Sequence, residues 1–168
     1  MLGIDALGIP LHPLVVHFPI VLSVLLPIFA LVALVAIRKG TTSPWAWALP
    51  VSLAAALTVS AYVAVQTGES EEDRVERVVG DDVIHGHEEA AERFVVLSGA
   101  LLLVAAAGLL PRNVGKAARL VTTVGAFGLL AAGVQVGHSG GELVYRHGAA
   151  AAYTDGTSSP GAATSEGR

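Results

Sequence analysis

Four apolar runs, at about residues 11–37, 44–67, 90–110 and 117–137, each reach the roughly 20 residues that a helix needs to cross a bilayer. In lipid every backbone N–H and C=O must be paired within the protein, which leaves helices and closed barrels as the available spanning structures. A barrel would show short segments of alternating polarity, and this chain shows long continuous runs. Composition agrees, with 53% hydrophobic and 14% charged residues, where a soluble domain carries about 25% charge. The expected fold is therefore all-α: a polytopic membrane protein with an antiparallel four-helix transmembrane bundle. The bundle domain is expected over residues 1–150, and residues 151–168, rich in Gly, Ser and Thr, read as a disordered polar tail. The first run is too long for a signal peptide and no basic residue precedes it, so it is expected to stay as an anchor.

Charge gives the expected orientation. The two short connections, after the first and third runs, hold Arg38, Lys39, Arg112, Lys116 and Arg119 and no acid. All 14 Asp and Glu residues fall toward the opposite side. Basic short loops stay cytoplasmic. Both termini and the acidic loop at 69–89 are then expected outside a cytoplasmic (inner) membrane, the loop as a solvated charge run or a helical extension.

Local signals fill in the runs. His12-Pro13 opens the first, with proline at a position whose N–H would be unpaired anyway. Pro19 and Pro27 should kink it, freeing the carbonyls of Val15 and Ser23. Trp45 and Trp47 suit an aromatic belt at the inner interface. Gly133 and Gly137 allow close helix contact or the approach of a flat cofactor, packing being the favoured reading. Gly140-Gly141 reads as a helix stop, followed by an interfacial Leu143-Val144-Tyr145.

Chemistry concentrates in the histidines. All six lie near run ends on the acidic side: His12 and His17, His85 and His87, His138 and His147. Imidazole is rarely kept at membrane depth without a task, and it is the commonest protein ligand for metals and haem iron. His17 shares an apolar stripe with Leu14, Val21, Val24 and Ile28, and His87 shares one with Ala91, Phe94 and Ser98. His85 falls on a polar stripe with Glu88, Glu89 and Glu92. The first and third helices of a square bundle are diagonal, so His17 and His87 are expected to face each other as axial ligands of haem b. His138 and His147 would form a second ligand pair or contact haem propionates. Iron held by two histidines has no open position, so the expected task is electron transfer, as a carrier or redox subunit rather than a stand-alone enzyme.

Two other readings use the same residues. A bare transition-metal ion, such as zinc, copper or iron, would take ligands from His17, His87, His138, His147, Glu69 and Glu88. Alternatively the histidines anchor helix ends in a non-catalytic membrane subunit, with the acidic loop as its docking surface. The chain has no cysteine, which excludes disulfides, thiolate metal sites and covalent c-type haem. Ionisable residues are missing at mid-depth of the runs, which argues against ion transport. There is no GxSxG, no phosphate-binding loop and no basic stripe for nucleic acid.

The stretches HPLVVHFPI at 12–20 and GGELVYRHG at 140–148 resemble a bacterial membrane-protein family catalogued as a four-helix domain of unknown function. The resemblance covers about residues 10–150. It implies the four-helix layout and a shared role for His12, His17 and His147. Some relatives look fused to a Rieske-type iron–sulfur domain after the second motif, which implies redox work and a Rieske-type protein as a partner. This chain departs from them, since its tail holds no cluster ligands.

Overall fold

The computed structural model describes residues 10–40 and 45–153. The expected start of the second helix at Ser43-Pro44, and the polar tail beyond Tyr153, lie outside the described residues. The elements are α1 (Leu11–Val15), α2 (His17–Arg38), α3 (Trp45–Glu69), α4 (Glu72–Val75), α5 (Asp81–Ala107), α6 (Arg112–Tyr145) and a 3₁₀ turn at Ala149–Tyr153. Four spans are long and apolar enough to cross a membrane: α1 with α2, then α3, α5 and α6. They form an antiparallel bundle in which α2 and α5 each pack on both α3 and α6. The diagonal pairs are therefore α2 with α5 and α3 with α6.

The core is built from modest side chains: Leu26, Leu57, Ala61, Phe94, Leu101, Ala126 and Leu129. Small residues let the helices approach, as van der Waals contact requires where no water drives association. Gly125 faces Leu101, and Gly133 faces Phe94 and Ser23. Gly133 thus serves helix packing, because the Phe94 ring fills its space. Large apolar side chains such as Phe18, Val32, Val96 and Leu103 point outward, as a lipid-facing surface needs. Hydroxyls inside the bundle bond back to their own helix, Ser23 to the Ile20 carbonyl and Ser98 to that of Val95.

Proline acts on the first span as its chemistry dictates. The helix is interrupted at Val16, between α1 and α2, where Pro19 cannot supply an N–H to the Val15 carbonyl. Pro27 is accommodated within α2.

Three expectations are corrected. Trp47 is interior rather than part of an aromatic belt. It is 1% exposed, and its Nε1–H donates to the Ala105 carbonyl at 2.9 Å. A Cβ at Gly108 would collide with that indole, while Trp45 alone of the pair stays exposed. Gly140-Gly141 does not end the fourth helix, which runs on to Tyr145. Finally, the acidic loop is not simply a solvated charge run. Val79 packs with Ile84, Leu143 and Ala149 over the end of the bundle.

At the basic end, Arg119 sends its Nε–H to the Gly108 carbonyl at 2.7 Å, placing a cation at the C-terminus of α5. Its guanidinium lies 5.9 Å from the Trp47 ring centre.

Candidate functional site at the acidic end

A cavity of about 660 Å³ opens at the acidic end of the bundle. Its walls include Val65, Val75, Ile84, Ala91 and Leu143, with His12, His87, Glu69, Glu72 and Glu88 among them. It is apolar in its body and carries imidazoles and carboxylates.

His12 and His87 come together there. Their ring centres are 6.2 Å apart and their planes are 83° to each other. His12 Nδ1 lies 2.8 Å from the Ala64 carbonyl oxygen, an acceptor, so Nδ1 carries the proton. His87 Nδ1 lies 2.9 Å from Ser139 Oγ. That hydroxyl spends its own hydrogen on the Val136 carbonyl, so His87 Nδ1 donates as well. That leaves Nε2 of each ring as the nitrogen open to a ligand. A partner on one ring nitrogen fixes the tautomer and offers the other nitrogen for a ligand bond, as in established metal sites.

Two glycines make room for the rings. A Cβ at Gly68 would lie 3.2 Å from His12 Cε1, and one at Gly140 would lie 3.0 Å from His87 Cε1. The pair thus draws on all four spans: His12 on α1, Ala64 and Gly68 on α3, His87 on α5, Ser139 and Gly140 on α6.

Glu71 anchors the start of α1 from a distance. Its Oε1 accepts the backbone N–H groups of Leu11 at 2.7 Å and His12 at 3.2 Å, which an isolated helix start leaves unpaired. Its Oε2 accepts the Tyr153 hydroxyl at 2.6 Å, and Arg74 lies 5.6 Å from the Tyr153 ring centre. One carboxylate therefore ties together the first helix, the acidic loop and the turn after α6. That turn spans Ala149–Tyr153.

The remaining histidines lie elsewhere. His17 is exposed, with Nδ1 3.3 Å from the Leu14 carbonyl, and does not face His87. His12 takes the expected place of His17, since it continues the buried stripe of Pro19, Ser23, Leu26 and Ala30, from which five residues of helix turn His17 by about 140°. His138 is exposed beside Glu142, at 3.6 Å, and His147 is exposed after α6. Neither lines the cavity. Glu69 is exposed on the cavity rim and Glu88 half-buried in its wall. Sequence reasoning passed over Glu71 and Tyr153. The signal for Glu71 was an uncapped helix start at Pro10-Leu11 needing a distant acceptor.

The model of a family described as "Predicted membrane protein (DUF2231)" matches residues 8–152. The chain belongs to this family. That span contains both histidine motifs and every cavity residue except Tyr153. No curated protein and no solved structure matches the chain.

Proposed function

We propose that this chain is a membrane electron-transfer protein that holds haem b between His12 and His87. The carrying observation is the imidazole pair itself, with both Nδ1 atoms bound to protein acceptors and ring centres 6.2 Å apart. Two imidazoles bound on opposite sides of one metal, at about 2 Å each, place their ring centres about 6 Å apart, whereas a tetrahedral pair places them about 5 Å apart. The apolar body of the neighbouring cavity, about 660 Å³ in volume, fits a flat hydrophobic group. Iron ligated on both faces supplies one-electron chemistry. The chain's own residues hold the rings: Ala64, Ser139 and the two glycines set their tautomers and positions. Under the positive-inside rule the site lies at the outer face of the inner membrane, where a redox protein such as a Rieske-type partner would exchange electrons with it.

A second reading is favoured by the carboxylates of Glu69 and Glu88 on the same cavity. It places a bare transition-metal ion on His12 and His87 instead of haem. One preparation tests both: protein expressed with ample haem, purified in detergent, and examined by absorbance and metal analysis. The haem reading expects a Soret band and a reduced α-band, lost in His12→Ala and His87→Ala and kept in His17→Ala. Stoichiometric zinc or copper without porphyrin, lost in the same two variants, replaces haem with the bare ion. A Soret band lost in His17→Ala and kept in His12→Ala overturns the pairing.

A further inference from the structure

A second group of metal-binding side chains lies at the rim of the same end, and the haem reading does not use it. Glu72, His85 and Glu88 each offer one ligand atom, and these atoms lie within 4.8 Å of one another. They come from two separate elements, Glu72 from α4 and the other two from α5. His85 and Glu88 are three apart on one helix and so share a face. We propose that these three side chains bind a divalent first-row metal ion, zinc being the best match.

The donor set argues for it. One imidazole and two carboxylates are ligand types that zinc accepts, and three protein ligands leave a position for water or an exchangeable group. His85 is already oriented. Its Nδ1 lies 3.0 Å from Asp81 Oδ1 and 3.2 Å from the Asp81 carbonyl oxygen, so Nδ1 carries the proton and Nε2 is the ligand nitrogen. A carboxylate behind a histidine is the usual support of a zinc-bound imidazole.

The two carboxylates converge on His85 from separate elements. Among the described residues, neither Glu72 nor Glu88 takes an ion pair, while the neighbouring Glu89 is matched by Arg93 and Glu142 by Arg146. Two like charges held together without a counter-ion are mutually unfavourable, and a bound cation reverses that sign. Bonds of about 2.1 Å need the ligand atoms roughly 3.4 Å apart, a closure that side chains with free rotamers at a rim can make.

The site borders the same cavity as the His12–His87 pair, and the test separates them. The purified full chain, freed of metal with a chelator, is titrated with zinc by calorimetry, with manganese as a second probe. One zinc ion per chain is expected. Its affinity should fall at least tenfold in Glu72→Gln, His85→Ala and Glu88→Gln, and stay unchanged in Glu89→Gln. Circular dichroism checks each fold, and three variants keep the result decisive if one misfolds. Absence of saturable binding overturns the proposal, as does affinity retained in His85→Ala and Glu72→Gln. Zinc lost in His87→Ala instead moves the ion to the inner pair and also overturns it. A Soret band present or absent in the same samples reports separately on haem.

Discussion

At position 140 the side chain is a hydrogen atom, and the His87 ring occupies the space that a methyl group would take. Gly140→Ala would set its Cβ 3.0 Å from His87 Cε1, so the ring must give by a few tenths of an ångström against its bond to Ser139. On the haem proposal the expected outcome is reduced haem content, read as the Soret-to-protein absorbance ratio. Gly137→Ala, where nothing lies within 4 Å, should keep it. Trp47→Phe removes the bond to the Ala105 carbonyl. It should cost about 1–2 kcal/mol, read as a lower thermal midpoint in detergent. Both roles were hidden in the sequence for a physical reason. Paired glycines stop helices in water, whereas in a bilayer the backbone must stay paired, so the helix continues and the glycine becomes a recess. Trp47, likewise, reads as an interfacial residue until the small Gly108 is found opposite it.

For the elements, the start of α1 is the part least secured by its own residues. No side chain of its own caps it, and Glu71 does so from 60 residues away. Glu71→Gln replaces a charged acceptor by a neutral one and should destabilise the first helix by about 1–2 kcal/mol. Faster amide exchange at Leu11 and His12 is the readout. Tyr153 carries a pH signature. Burial, then the bond to Glu71, push its hydroxyl well above the ordinary phenol range. A raised pKa means the docked turn is stabilised at every pH below the unfolded value of about 10, and the stabilisation fades as pH rises through the folded one. Docking of the turn should thus be flat across neutral pH and weaken only in strong alkali, and Tyr153→Phe should weaken it throughout. Protease sensitivity at Ala149–Tyr153 measures both. The identity of the paired histidine was not legible at this scale, because the apolar stripe that His17 shares with Leu14, Val21, Val24 and Ile28 faces lipid rather than the core, and apolar character alone does not tell the two apart in a membrane.

The whole molecule was the easiest to read. Hydropathy alone locates the four spans, since the need to pair every backbone group leaves long apolar runs one solution. The diagonal relation of the first and third helices follows from short antiparallel connections, and the contacts of α2 and α5 bear it out. The cavity is not legible, because it depends on a loop folding back over the bundle through Val79. Orientation is the prediction that belongs here. A reporter active in the cytoplasm should give signal when fused after Lys39 or Arg112 and stay silent after Asp82 or Gly148. The reverse pattern would move the histidines, and any redox partner, to the cytoplasmic face.

The imidazole pair also sets an order of events during biosynthesis. His12 belongs to the first span and the Ser139 hydroxyl that steadies His87 to the fourth, while Tyr153 reaches back to Glu71, which holds the start of α1. A nascent chain stalled after three spans has no finished pocket to offer. On the haem proposal, cofactor loading would be a late step, following insertion of the last helix, and a chain truncated ahead of Ser139 should remain colourless however much haem the cell supplies.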